Sequence, residues 1–141
     1  MIQESIDSII AALTGISEIT GEIDQFAGDI EELEKKPKRL PALWVVYDGA
    51  SFQDRETEEV RADHTMQFSV ILIVKNHRSR KDGAEACHGI IEGVRDRLLG
   101  LVIGDGELWP IRERLAVASG PLLVYQLSYK LEDIYPPQSG G

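Results

Sequence analysis

The chain has 141 residues, 43% hydrophobic and 28% charged, with three histidines, one cysteine and a net charge of −9. These values fit one globular domain with a single core and exclude wholesale disorder. The longest unbroken aliphatic run, Val70–Val74, falls far short of the ~20 residues a membrane-spanning helix needs, and the lone Cys87 excludes an intrachain disulfide framework.

Met1 leads into a polar-apolar mixture with Glu4 and Asp7, not a basic then apolar leader, so no secretory signal is expected. A single cysteine fits a reducing compartment, and the expected place of synthesis is the cytoplasm. The charge is unevenly placed. Residues 1–63 carry 15 acidic and 6 basic side chains (15 − 6, net −9), whereas residues 64–141 carry 9 of each. An acidic first half repels phosphates and disfavours direct nucleic-acid binding.

In chain order, Ile2, Ile6, Ile9, Ile10 and Leu13 fall at helical spacing opposite Glu4, Asp7 and Ser8, which predicts an amphipathic helix over 2–14 stopped by Gly15. Ile16 to Phe26 reads equally as a helix or a short edge strand, because Thr20 and Gly21 interrupt the spacing of Ile19 and Ile23. Asp29 to Arg39 is charge-dense. Ile30 and Leu33 could pin one turn there, with Glu31/Lys35 and Glu32/Lys36 paired along it and Pro37 ending it.

Residues 40–47 (Leu-Pro-Ala-Leu-Trp-Val-Val-Tyr) form the first firm strand, with Pro41 at its start and Asp48-Gly49 expected to end it. A polar connection follows, rich in acid (Asp54, Glu56, Glu58, Glu59, Asp63) with Arg55 and Arg61 interleaved. It is too long for a tight turn and should project as a hairpin arm or loop between antiparallel strands. The next stretch, 65–76, is the segment around which the chain is organised. Met66, Phe68, Val70, Leu72 and Val74 share one face, while Ile71 and Ile73 make the opposite face apolar only in the middle. That pattern predicts a central strand with helices beneath it and partial cover above.

Lys75-Asn76-His77-Arg78-Ser79-Arg80-Lys81 then makes a compact basic loop. A helix over 83–99 is predicted, with Asp82 as cap. Its buried face carries Cys87, Ile91, Val94 and Leu98, flanked by Ala84 and Ile90; Glu85, Glu92, Arg95 and Asp96 face out. Gly89 and Gly93 offer a place for a neighbouring element to approach, and Gly100 or Gly104 should close the helix. Asp105-Gly106 signals a turn, Trp109-Pro110 is expected over a core edge, and 111–118 reads as helix or strand alike. Gly120-Pro121 introduces the last strand, 122–131, with Leu123, Tyr125, Leu127, Tyr129 and Leu131 alternating against Val124, Gln126, Ser128 and Lys130. Residues 136–141 read as a loose tail after a single domain over 1–135.

No catalytic constellation emerges. His64 and His77 flank opposite ends of the central strand and cannot share a metal or a proton relay. Cys87 and His88 are adjacent on a helix, so their side chains diverge by ~100° and make no nucleophile–base pair. Gly104-Asp105-Gly106 follows a helix instead of opening one, which discounts a phosphate cradle. Arg55 and Arg61 would compete with a cation for the carboxylates of the arm. No enzyme activity, cofactor or metal is expected. The acidic arm and the basic loop sit at the two ends of one strand, roughly 35 Å apart at about 3.3 Å per residue, so they can neutralise each other only between copies.

The order helix, strand, polar arm, strand, basic loop, helix, turn, strand resembles the small tail proteins of Mu-like phages and prophages, which are related to phage tail terminators. The stretches that carry the likeness are Leu40–Ala50, Phe68–Val74 and Val124–Leu131. The resemblance implies an α+β subunit, a mainly antiparallel or mixed sheet of about four strands with two main helices on one face. It implies a hexameric ring that caps the head-proximal end of the tail and stops tube and sheath polymerisation. Its partners would be tail tube, sheath and head–tail connector proteins, with no membrane. The residues expected at the contact between copies are Asp54, Arg55, Glu56, Glu58, Glu59 and Arg61 in the arm, and Lys75, His77, Arg78, Arg80 and Lys81 in the basic loop. Another head–tail joining (neck or connector) protein is the alternative, and a small ligand-binding protein or enzyme a more distant one.

Overall fold

The strand at the centre of the molecule is β3, Ala62–Lys75, hydrogen-bonded antiparallel along its length to β6 (Leu122–Tyr135) and on its other side to β2 (Ala42–Phe52). The computed structural model describes residues 1–26, 39–75, 81–119 and 122–135, with the side chains of 81–84, 86 and 119 outside that description. Three further strands complete the sheet: β1 (Ile23–Gln25), β4 (Val102–Ile103) and β5 (Gly106–Ser119). The order is β1-β2-β3-β6-β5-β4, with β1 parallel to β2 and every other pair antiparallel. The sheet has six strands, not the expected four or so. Beyond the three strands read firmly from the sequence are a three-residue edge, a two-residue edge and β5, each of which owes its extended form to the neighbour it pairs with.

Helices α1 (Ile2–Leu13) and α2 (Lys81–Leu98) cover one face. Ile6, Ile9 and Leu13 of α1 and Cys87, Ile90, Ile91, Val94 and Leu98 of α2 are buried against Met66, Phe68, Val70, Leu72 and Val74 of β3 and against Leu127, Tyr129 and Leu131 of β6. Both helical stripes and both strand alternations therefore match the sequence reading. Helix α2 starts at Lys81, so Asp82 lies inside the helix and not at its cap. Gly100, at φ 75°, closes it in the left-handed conformation that lacks a Cβ clash. Arg97 donates to the Ala12 carbonyl at 3.1 Å, placing a cation at the negative end of α1 and joining the last turns of the two helices.

The opposite face is closed only in part. Trp44, Ile71, Ile73 and Val124 are buried there beneath Phe26, Leu40, Val46, Ala116, Val117 and Leu122. Toward the arm this face turns polar. Gln126 donates to Ser69 at 3.0 Å, Ser69 donates to Asp48, and Arg114 donates to Gln126 at 2.8 Å, a chain of hydrogen bonds crossing β2, β3, β6 and β5. That chain satisfies Ser69, which is wholly buried.

Three expectations are corrected, and the open reading of 111–118 as helix or strand is settled. Asp48-Gly49 does not end β2. The strand bulges there, with the register shifting between Tyr47 and Gly49 and Gly49 at φ 132°, and it continues to Phe52. Residues 111–118 are strand, within β5. A Cβ at Gly89 or Gly93 would meet nothing within 4 Å, so no element among the described residues approaches the helix at those glycines. Trp109 is 51% exposed and covers no core edge. The charged segment read over 29–39 lies, apart from Arg39, outside the described residues.

Candidate assembly surfaces

The β2–β3 hairpin leaves the sheet where Gln53 N donates to the Asp63 carbonyl at 2.9 Å, and every residue from 53 to 61 is exposed. Within this arm the two arginines are committed locally. Arg55 donates through Nε to the Thr57 carbonyl at 2.8 Å and through Nη2 to the Glu58 carbonyl at 2.6 Å, bracing the turn from inside. Arg61 pairs with Glu59 at 2.9 Å. Asp54, Glu56 and Glu58 have no ion-pair partner among the described residues, so the arm presents uncompensated negative charge.

At the arm's root His64 is buried between Phe52, stacked with ring centroids 5.5 Å apart, and Tyr135, edge-on at 6.0 Å. These three are cross-strand or near neighbours on the ends of β2, β3 and β6. Beside them lies an open groove of about 310 Å³ lined by Gln53, Arg55, Glu59, Val60, Arg61, Ala62 and Tyr135. Its exposed apolar members are Val60, at 87%, and Tyr135. The sequence reading took the arm's charges and passed over Phe52, Val60 and Tyr135. The signal available was large apolar residues bordering an otherwise polar stretch.

Lys75 is exposed at the other end of β3. The thirteen steps from Ala62 to Lys75 separate the two ends by about 43 Å, so the arm and Lys75 do not meet within one copy. His77, Arg78 and Arg80 lie outside the described residues, as does the side chain of Lys81, whose backbone begins α2.

A further exposed surface runs along β5. From Trp109 onward its outer edge has no neighbouring strand among the described residues, since β4 pairs only with Gly106 and Glu107. Trp109, Ile111 and Leu115 are exposed there, with Arg112 and Arg114 between them. Pro110 and two irregularities, at 110/112 and 115/117, interrupt its ladder.

Among the described residues, groups capable of chemistry are not brought together. Burial pushes the Cys87 thiol up, opposed by a hydrogen bond with Tyr125, and the neighbouring His88 points to solvent. Burial, and then the nearby Glu113 carboxylate, hold the Tyr129 hydroxyl far above its ordinary value; Arg95 pulls the other way. Among the described residues no three His, Cys, Asp or Glu side chains gather as a metal site, and no helix is long and apolar enough to cross a membrane. Gly104 and Asp105 form the tight β4–β5 turn. A Cβ on Gly106 would lie 2.3 Å from the Glu132 carbonyl oxygen, so that glycine serves close packing against β6.

No curated protein matches the sequence. Among solved structures, a chain of the virion of a native gene transfer agent particle is similar over 93% of this chain and 88% of its own, at 20% identity and a TM-score of 0.47. The family model for phage tail terminator proteins matches residues 3–136. With nearly its whole length matched, the chain belongs to the phage tail terminator protein family.

Proposed function

We propose that this structural protein of the phage tail closes the head-proximal end of the tail as a hexameric ring. The ring ends polymerisation of the tube, and of a sheath where one exists, and offers a joining surface to the head connector. The observation that carries this reading is the family match over residues 3–136. It is supported by the exposed charge of the arm and of Lys75 at the far end of β3. Residues 1–135 act as one domain with 136–141 as a tail, and assembly takes place in the cytoplasm of the bacterial host.

Termination of this kind is steric. One ring face matches the last tube ring, and the other gives no further tube subunit a place to add. A closed ring also needs two different patches on each subunit, because the contact is head-to-tail. Asp54, Arg55, Glu56, Glu58, Glu59 and Arg61 of the arm, and Lys75, His77, Arg78, Arg80 and Lys81 of the basic loop, supply opposite charges for that contact. The test is electron microscopy of tails assembled with and without the protein. The reading expects tubes of uncontrolled length without it, and tails of fixed length bearing a ring at one end with it. Unchanged tube length, or protein bound elsewhere on the virion, overturns the reading.

A further inference from the structure

We propose that the outer edge of β5 in one copy seats against the β2–β3 arm of the next copy. This rests on the ring reading above, and it names the surface that the arm meets. Two patches of exposed large apolar side chains carry it. One is at the arm, with Phe52, Val60 and Tyr135; the other is on β5, with Trp109 and Ile111, while Leu115, paired with Tyr125, is exposed on the opposite face. Strand β5 lies near one end of the sheet, whereas Phe52 and Val60 lie on the β2–β3 hairpin on the other side of β6, so the two patches are distinct, with Tyr135 at the end of β6 between them. Two unlike patches are what a head-to-tail ring requires and what a two-fold dimer does not.

Charge selects the pairing. Asp54, Glu56 and Glu58 have no ion-pair partner among the described residues, and on β5 Arg112 and Arg114 stand exposed on the same face as Trp109, with Arg114 held toward Gln126. Self-pairing of two arms would bring like charges together, and so would self-pairing of two β5 edges. The contact is made by side chains. Pro110 has no N–H to give, and the irregularities at Ile111 and Ala116 break the ladder, which blunts β5 against a continuous added strand. The groove beside Val60 and Tyr135, about 310 Å³, can admit an aromatic side chain such as Trp109. The far end of β5 lies level with Lys75, since Ser119 pairs with Leu122 and Leu122 with Lys75. Lys75 thus stands at the same end of the subunit as Ser119.

The experiment uses two charge-reversed variants of the full chain. One carries Asp54→Lys, Glu56→Lys and Glu58→Lys; the other carries Arg112→Glu and Arg114→Glu. Association is read by sedimentation velocity over a wide concentration range, and by counting rings at the ends of tail tubes. Circular dichroism and thermal melting confirm that both variants are folded. Each variant alone should associate about tenfold or more weakly than wild type, because its own two patches now repel. An equal mixture should recover association, since each variant's patches complement the other's and six positions accept strict alternation. Rings formed equally well by either variant alone, or no recovery on mixing, overturns this contact while leaving the ring. Wild-type protein that forms no ring in solution or on tubes overturns the ring reading, and this contact with it. Trp109→Ala gives a second check: weakened association with an unchanged melting temperature supports the contact, and unchanged association overturns it.

Discussion

Leu72 and Ile73 are consecutive on the central strand, wholly buried, and on opposite faces of the sheet. Leu72 packs under the helices; Ile73 packs in the smaller cluster with Trp44, Ile71 and Val124. Their backbones are paired to both β2 and β6, so truncating either side chain perturbs the same ladder equally. Leu72→Ala should cost about 2–5 kcal/mol from lost transfer energy and an unfilled cavity. Ile73→Ala should cost as much if the second face is closed at that point. Against a total stability of about 7–15 kcal/mol for a chain this size, either change is large. With a urea m-value of about 2 kcal/mol/M, a loss of about 3 kcal/mol moves the midpoint by roughly 1.5 M. The assay is urea unfolding followed by fluorescence and by circular dichroism, with Val60→Ser as an exposed control expected to stay within about 0.5 kcal/mol. Midpoints should fall at unchanged slope for both core variants. A cost below about 1 kcal/mol for Ile73→Ala alone would refute two-sided burial of β3.

The Tyr129 hydroxyl is buried without a hydrogen-bond partner among the described residues, so Tyr129→Phe should raise stability by about 1–2 kcal/mol at neutral pH in urea unfolding. Alkaline titration gives a related outcome. Folding raises the Cys87 and Tyr129 pKa values above 9.0 and 10.0, so above those values the unfolded chain holds fewer protons than the folded one. Their contribution is complete below pH 9 and is lost as pH climbs from there toward the folded values. Stability should therefore fall on the alkaline side, and Tyr129→Phe should flatten the part above pH 10. Gly106→Ala would place a Cβ 2.3 Å from the Glu132 carbonyl oxygen, a backbone atom held by the sheet; it should lower the melting temperature, whereas Gly89→Ala, in open space, should not.

The sequence by itself determined α1, α2, β3 and β6, because each carries an apolar period over ten or more residues that local geometry alone turns into a face. The same pattern identified Cys87 as a core residue and His64 as a residue standing at one end of β3. It left β1 and β5 open between helix and strand, and it did not find β4. These strands are short, or interrupted by Pro110 and two irregularities, and their extended form comes from hydrogen bonds to strands distant in sequence. Nor could Asp48-Gly49 be seen as a bulge, since the same dipeptide ends a strand when no partner continues alongside. The charges of the arm were legible, but not that Arg55 and Arg61 spend theirs inside it. Only the fold decided that Trp109, Ile111 and Leu115 face solvent, because exposure depends on what lies beyond the edge of a sheet, and periodicity along one strand carries no information about its neighbours.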